Sequence, residues 1–169
     1  MEFSALIAAR YSCRAYRQDP VEDAKLRHVL EAARLAPTAC NRQPFQLIVI
    51  RTQGRAAELT RIYAKDWFAQ APIVICACGI PRDTWVRRDG KNYSDVDVTI
   101  AMDHLILAAT NVGLGTCWIA AFDVGAAREI LGLPSWVEPV AFTPLGYAAD
   151  TRVEMKRKPL SDLVRFERW

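Results

Sequence analysis

Residues 97–123, DVTIAMDHLILAATNVGLGTCWIAAFD, give the clearest indication of the fold. The first part of this stretch, Asp97 to Val112, is apolar nearly all round and therefore predicts a helix in the centre of the core. Gly113 and Gly115 end that helix, and Thr116 to Ala121 is predicted to be extended. A helix that is apolar on every side needs other elements packed around it, and the flanking segments supply candidates.

Short apolar runs on both sides of this helix predict the strands of a sheet, at Phe45 to Arg51, Ile73 to Cys78 and Val137 to Ala148. Helical spacing of apolar side chains predicts further helices at residues 3–10, 22–36 and 54–69, and after Asp123. This alternation alone would favour a doubly wound parallel sheet. However, no strand leads into a glycine-rich turn of the kind that binds a dinucleotide, so a Rossmann domain is not supported.

The bulk properties are those of an ordinary globular chain. With 169 residues, 51% of them hydrophobic and 24% charged, the chain is predicted to form one domain over residues 1–169. A net charge of +3 is too mild to predict nucleic-acid binding, and the basic cluster at 82–91, with Trp85 as its one aromatic residue, is a poor match to a nucleic-acid-binding face. There is no signal peptide and no apolar run of membrane-spanning length, so we expect a cytoplasmic protein without membrane contact.

The five cysteines are odd in number and suggest no disulfide framework. Cys76 and Cys78 lie two residues apart in an apolar run, but a zinc site would need a second pair or histidines at ligand spacing. The only histidines, His28 and His104, are not so placed. We therefore predict no metal site and buried free thiols in a reducing compartment.

Two arginines and a hydroxyl fall within five residues in RYSCR, at Arg10, Ser12 and Arg14. Guanidinium groups form paired hydrogen bonds with phosphate oxygens, and a turn here would point backbone N–H groups at the same anion. Considered alone, a run of this kind is more often a solvated surface segment than a phosphate site.

Two other segments could meet a flat heteroaromatic ring. Residues 36–44, APTACNRQP, leave a helix and enter a strand, and the amides of Asn41 and Gln43 could bind the polar edge of such a ring. The alternative is a polar turn whose asparagine bonds its own backbone. The small residues Ala120 and Ala121 would let backbone approach the ring closely, although a tight packing corner explains them almost as well.

In their order and spacing these segments resemble the FMN-dependent nitroreductase family in its short, single-domain form. The resemblance is carried by ARYSCRAY, APTACNRQPF, MDHLILAATNVGLGTCWIAAFD, ILGLP, PLGY and RKPL, and is weakest over residues 52–95. It implies an α+β fold with a central, mainly antiparallel sheet flanked by helices. It also implies a homodimer with the flavin at its interface and a C-terminal segment that reaches the partner subunit.

The resemblance gives each matched residue a role. The N-terminal segment would hold the FMN phosphate together with Arg157, helped by Lys156 or Lys158. The ring would lie beside Pro37 to Asn41, with the backbone of Ala120 and Ala121 near its N5 atom. The residues implied in cofactor binding are Arg10, Tyr11, Ser12, Arg14, Pro37, Thr38, Ala39, Asn41, Gln43, Ala120, Ala121 and Arg157.

The implied chemistry has two steps. NAD(P)H would give hydride to flavin N5 and leave, and a small acceptor such as a nitroaromatic or a quinone would then take electrons in the same pocket. No catalytic side chain is required, because N5 is the reactive atom. Two alternatives stay open: another flavin chemistry of the family, such as dehalogenation or dehydrogenation, and a flavin-binding protein for storage or sensing without turnover.

The chain departs from the family pattern in one region. Some members place an asparagine and a lysine near the pyrimidine edge of the flavin, where this chain has Ala64 and Trp67. Lys65 is close, but on a helix it would point elsewhere. The polar segment 81–95 is expected to be a substrate-facing lid.

Overall fold

A four-stranded antiparallel sheet forms the middle layer of the protein in the computed structural model, which describes residues 1–169. Its spatial order is β1-β2-β4-β3. The strand bounds are β1 Phe45–Arg51, β2 Ile73–Gly79, β3 Gly115–Thr116 and β4 Glu138–Gly146. The expected α+β fold with an antiparallel sheet is confirmed, and the parallel alternative is excluded by the three antiparallel pairings.

Helices cover both faces of the sheet. Their bounds are α1 Phe3–Ala9, α2 Asp23–Arg34, α3 Ala56–Ile62, α4 Asp66–Gln70, α5 Ser94–Asn111, α6 Val124–Leu131 and α7 Leu160–Leu163. Alternate residues of β2 divide between two apolar clusters: Ile73 and Ile75 pack with α2 and α5, whereas Val74 and Cys76 pack with α3, α4 and α6. Because both faces are covered, every residue of β2 is buried.

The predicted central helix is α5, and eight of its residues are buried. It begins at Ser94, three residues before the predicted start, because the Asn92 side chain accepts a hydrogen bond from the Ser94 N–H at 2.9 Å. It is not enclosed on every side, since Asp95, Thr99 and Asp103 form an exposed strip. Hydropathy alone missed this strip, because the aspartates are spaced among apolar residues.

The single helix predicted over residues 54–69 is wrong. The chain forms α3 and α4 instead, separated by extended backbone at Tyr63 with φ −145° and ψ 110°. The bend brings the Tyr63 ring edge-on against Trp67 and Phe68, at centroid distances of 5.6 and 5.5 Å. Aromatic packing here outweighs local helix propensity. Lys65 therefore lies in extended backbone and not within a helix.

The segment predicted as a lid is an ordered hairpin over residues 81–93. Val86 pairs with Asn92 across it, and the rings of Trp85 and Tyr93 pack edge to face at 5.1 Å. The Asn92 amide also donates to the Pro81 carbonyl at 2.9 Å, which closes the base of the hairpin. Its role toward substrate stays a prediction.

All five cysteines are free thiols, and four of them are buried. Cys40 is the exposed one, because it lies in the turn before β1. None of the helices has both the length and the apolarity that crossing a bilayer requires. The cytoplasmic location stays a prediction.

Candidate cofactor-binding site

A cleft of about 1220 Å³ opens where the two ends of the chain meet. One wall is formed by α1 and the segment Arg10–Arg14, and the other by residues between Ala149 and Arg157. We call the exposed residues 151–159 the C-terminal arm. The predicted phosphate-binding residues that line it are Arg10, Tyr11, Ser12, Arg14 and Arg157. The structure thus brings together residues that are almost 150 positions apart in the sequence.

The segment Arg10–Arg14 is held against the edge of the sheet. The Cys13 N–H donates to the Thr116 carbonyl at 2.9 Å, and Ser12 is bridged to the same strand in parallel. A Cβ at Gly115 would lie 2.9 Å from both the Cβ and Sγ atoms of Cys13. Only glycine therefore permits this close approach of the segment to β3.

Asp150 organises this segment, and sequence reasoning missed it. Its carboxylate accepts the Arg14 N–H at 2.7 Å and the Tyr11 hydroxyl at 2.9 Å. The Cys13 thiol lies 3.2 Å from the same group and 3.1 Å from the Ala15 carbonyl, so its one proton is shared between these two acceptors. No local pattern marks Asp150, because all three donors are more than 130 residues away in the sequence.

These contacts shift the pKa values of the groups involved. Partial burial of Asp150 opposes its ionisation, but the hydrogen bonds from Arg14, Cys13 and Tyr11 outweigh this effect and lower the pKa of its carboxyl. Burial raises the pKa of the Cys13 thiol to about 11. Burial, followed by the bond to Asp150, raises the pKa of the Tyr11 hydroxyl. Asp150 is therefore the charged acceptor, and the other two groups are neutral donors.

One detail of the sequence prediction needs correction. The N–H groups of Cys13 and Arg14 donate to protein acceptors and do not point freely at an anion. An anion in the cleft would instead meet side chains and the N–H groups of Tyr11 and Ser12, which donate to no protein acceptor. Four guanidinium groups line it, with no carboxylate within salt-bridge distance of any of them: Arg10, Arg14, Arg152 and Arg157.

The C-terminal basic cluster divides between the cleft and its surroundings. Arg152 lines the cleft beside Arg157, although it was not among the predicted site residues. Lys156 and Lys158, predicted as possible helpers of Arg157, are not among the lining residues. The arm is exposed throughout residues 151–159 and has no regular secondary structure.

The predicted ring-binding turn, residues 37–43, is built separately. The Thr38 hydroxyl accepts the Gln43 N–H at 3.0 Å, and the Gln43 amide donates to the Asn41 carbonyl at 3.2 Å. Cys40, Asn41 and Gln43 all have positive φ, a strained conformation for residues other than glycine. The Asn41 side chain is exposed and forms no hydrogen bond, so its amide is free to bind a ligand.

This turn and the cleft lie at opposite ends of α5. The Ala39 N–H donates to Asp97 in the first turn of α5, whereas the cleft segment bonds to Thr116 beyond its last turn. At 1.5 Å per residue, Asp97 and Asn111 are separated by roughly 20 Å. Five predicted residues therefore do not line the cleft of their own chain: Pro37, Thr38, Ala39, Asn41 and Gln43.

Ala120 and Ala121 lie along the sheet edge beyond the cleft segment. Ile119 pairs with Phe142 through two hydrogen bonds of 2.9 Å, which fixes the backbone just before the two alanines. Both alanines are exposed, and their N–H groups donate to no protein acceptor. Because Ala120 is four positions after Thr116 in the chain, the two residues lie no more than about 14 Å apart.

The positions that depart from the family pattern have different surroundings. Ala64 and Lys65 are exposed in the bend between α3 and α4. Trp67 is half-buried and packs on the cluster of Cys13, Tyr16 and Ala71, which lies behind the cleft segment. Trp67 thus supports the segment Arg10–Arg14 through apolar packing on the side away from the cleft.

The fold defined by this sheet and its flanking helices is that of the nitroreductases. A nitroreductase family protein of Clostridium difficile 630 matches the whole chain over its own whole length, with a TM-score of 0.92 and 37% identity. The family model described as Nitroreductase family matches residues 7–65 and 56–147. The chain belongs to the nitroreductase family.

Two curated relatives extend the comparison. A putative NADH dehydrogenase/NAD(P)H nitroreductase of Archaeoglobus fulgidus is 29% identical over 97% of both chains. An FMN reductase [NAD(P)H] of Bacillus subtilis is 25% identical over 88% of this chain and 66% of its own. The resemblance seen in the sequence is confirmed, and with it the expectation of an oxidoreductase.

Proposed function

We propose that this protein is an FMN-dependent oxidoreductase that takes hydride from NAD(P)H and passes electrons to a small acceptor such as a nitroaromatic or a quinone. The observation that carries the proposal is the meeting of Arg10, Ser12, Arg14 and Arg157 in one cleft. Relatives named as NAD(P)H nitroreductase and FMN reductase support the choice of cofactor and electron donor.

The donor set of the cleft fits a phosphate monoester. The guanidinium groups of Arg10, Arg14 and Arg157 can each pair two N–H donors with phosphate oxygens, and the Ser12 hydroxyl adds a further donor. None of these arginines is neutralised by a carboxylate at salt-bridge distance, so their charge is available to a ligand.

The ring of the cofactor would extend along the sheet edge from the cleft toward Ala120 and Ala121. Their free N–H groups could donate to the flavin near N5, and the small side chains of the two alanines would let a flat ring approach the backbone. The bound flavin would supply the hydride chemistry. The residues of the chain bind it, orient it and limit its contact with water.

The site requires a second subunit in this proposal. The ring-binding turn with Thr38 and Asn41 is bonded to the end of α5 opposite the cleft, and α5 spans roughly 20 Å from Asp97 to Asn111. The turn would therefore serve the cleft of a partner. The tail beyond residue 158 also favours a dimer, because several large apolar side chains are exposed on it. These are Leu160, Leu163, Val164, Phe166 and Trp169. A C2 dimer would pair each turn with the opposite cleft and let each tail cover its partner.

The proton chemistry requires no side-chain acid from this chain. His28 and His104 lie on α2 and α5, and neither lines the cleft. The acceptor would be selected around the ring, where the hairpin 81–93 and the turn 37–43 are joined by a hydrogen bond of 2.8 Å from Arg42 to the Thr84 carbonyl.

The proposal is tested by purifying the protein, releasing its cofactor by denaturation and titrating the holoprotein with NADH and NADPH without oxygen. We expect FMN and rapid bleaching of the flavin absorbance. The double variant Arg14→Ala/Arg157→Ala should lose FMN, whereas Arg27→Ala, an exposed arginine of α2, should retain it.

A colourless protein that cannot be reconstituted with FMN would overturn the proposal. A bound flavin that neither nucleotide reduces would identify a storage or sensing protein instead. Once reduced, the enzyme can be offered nitroaromatics, quinones and halogenated phenols. If the halogenated phenol is the only one of these acceptors that oxidises the reduced flavin, the result would favour the dehalogenase alternative.

A further inference from the structure

We propose that Asp150 is a positioning residue for the phosphate end of the cofactor site. Its carboxylate fixes the segment that carries Ser12 and Arg14, and it also fixes the point where the C-terminal arm leaves the body of the protein. The inference rests on the proposed function, since it concerns how this chain holds FMN.

Several donors converge on the single carboxylate of Asp150. The Arg14 N–H reaches Oδ2 at 2.7 Å, and the Tyr11 hydroxyl and Cys13 thiol reach Oδ1 at 2.9 and 3.2 Å. Hydrogen bonds to a charged acceptor are about twice as strong as those between neutral groups. Asp150 therefore contacts three of the four residues from Tyr11 to Arg14. The remaining residue, Ser12, lines the cleft.

Asp150 also lies at the junction between the body of the protein and the C-terminal arm. Residues 147–149 run antiparallel to the residues after Arg14: Arg17 N–H donates to the Tyr147 carbonyl and Ala149 N–H to the Ala15 carbonyl, both at 2.8 Å. Asp150 ends this pairing, and the exposed arm begins at residue 151. Arg157 follows Asp150 by seven residues, so the two Cα atoms can be at most about 25 Å apart. Fixing Asp150 therefore limits where Arg157 can lie.

The negative charge of Asp150 distinguishes a positioning role from simple repulsion of the phosphate. A carboxylate beside an anion site weakens anion binding by Coulomb repulsion, so Asp150 is unfavourable if charge alone matters. Its hydrogen bonds with the segment oppose this cost. The two effects predict opposite results for Asp150→Asn, which removes the charge but keeps one acceptor oxygen. Repulsion predicts tighter FMN binding, whereas positioning predicts weaker binding.

The experiment compares FMN with riboflavin, which has the same ring and no phosphate. Dissociation constants are measured by quenching of flavin fluorescence with apoprotein of the wild type, Asp150→Ala and Asp150→Asn. If Asp150 positions the phosphate contacts, Asp150→Ala should weaken FMN about tenfold or more and riboflavin less than about twofold. Asp150→Asn should lie between wild type and Asp150→Ala, because its oxygen can still accept the Arg14 N–H.

Glu154 supplies the matched control. It is a second carboxylate that lines the cleft, but it forms no hydrogen bond or salt bridge with the segment. Glu154→Ala should leave FMN affinity unchanged or raise it, because only repulsion is removed. Circular dichroism and urea unfolding of each apoprotein show whether the variants fold. If Asp150→Ala does not fold, the ratio of FMN to riboflavin affinity in Asp150→Asn decides the question.

Three outcomes would overturn the inference: unchanged FMN affinity in Asp150→Ala, equal weakening of FMN and riboflavin, or tighter FMN binding in Asp150→Asn. Failure of the proposed function looks different. In that case the wild type itself binds FMN no better than riboflavin or does not bind it at all, and the positioning role falls with it.

Discussion

The Asp97 carboxylate accepts a hydrogen bond of 2.9 Å from the backbone N–H of Ala39, which joins the first turn of α5 to the turn before β1. Asp97 is 1% exposed. Its negative charge is favourable at this position because the N-terminus of a helix carries a partial positive charge. The bond also secures a turn in which Cys40 and Asn41 have positive φ, so α5 positions the proposed ring-binding residues.

Replacing Asp97 should therefore destabilise the protein. Asp97→Ala leaves the Ala39 N–H without an acceptor and should lower the free energy of unfolding by about 1–3 kcal/mol. Asp97→Asn keeps an acceptor oxygen and should cost less. Urea unfolding of the apoproteins measures both. Asp103→Ala, on the exposed strip of the same helix, should stay within about 0.5 kcal/mol of wild type. If Asp97→Ala were as stable as wild type, the bond would have no structural role.

Gly115 is predicted to be required for the close contact between β3 and the cleft segment. In Gly115→Ala the new Cβ would lie 2.9 Å from Cys13, so one backbone has to shift, at a cost of about 1–3 kcal/mol. FMN affinity should fall as well, because Ser12 and Arg14 move with Cys13. The measurements are urea unfolding and flavin fluorescence quenching.

A double-mutant cycle and a control variant test the cause of this loss. Adding Cys13→Gly to Gly115→Ala removes the atoms in conflict, so the two changes should cost less together than the sum of their separate effects. Gly125→Ala in α6, where the new Cβ meets only Asp123 Oδ1 at 3.3 Å, should be neutral or slightly stabilising. Strictly additive effects of the first pair would contradict the steric explanation.

The sequence was sufficient for features that depend on local pattern. The run FQLIVIR predicted β1 with its observed bounds, and the Asp123 side chain caps α6 through the Ala126 N–H at 2.7 Å, as its position predicted. Long-range contacts were beyond this kind of reasoning. The bend at Tyr63 depends on aromatic partners, and Asp150 acts on residues more than 130 positions away. The order of the motifs still indicated the cleft, because the family resemblance assigned residues from both ends of the chain to one phosphate site.

Lowering the pH should reduce the free energy of unfolding, because Asp150 becomes protonated. The pKa of the Asp150 carboxyl is lower in the folded state than its ordinary value of 3.8. Ionised Asp150 therefore stabilises the fold at pH values above 3.8, and this stabilisation is lost as the pH falls through the pKa of the folded state. The difference in unfolding free energy between wild type and Asp150→Asn should be constant at neutral pH and shrink below about pH 4. Urea unfolding across this range measures it. A difference that does not change with pH would mean that Asp150 is not titrating in this window.

Thiol labelling should separate Cys40 from the other cysteines. Cys13, Cys76 and Cys78 are 0% exposed and Cys117 is 4% exposed, so a water-soluble alkylating reagent should reach only Cys40 in the native apoprotein. Burial also raises the pKa of Cys13 to about 11, which keeps it a thiol at pH 8. Mass spectrometry should find one adduct in the native wild type, none in Cys40→Ser and five after denaturation. Early labelling of Cys13 would show that the cleft segment opens.

Mixed dimers test whether the two halves of the site come from different subunits. Arg14→Ala/Arg157→Ala disables the cleft, and Thr38→Ala/Asn41→Ala disables the turn, so each homodimer should lose FMN. If the halves meet across the interface, a heterodimer of the two variants has one site with both halves defective and one intact site. It should recover about half of the wild-type FMN content. The heterodimer is obtained by co-expression with two different affinity tags and sequential purification. If each chain built a whole site alone, both sites would remain defective and the heterodimer would stay colourless.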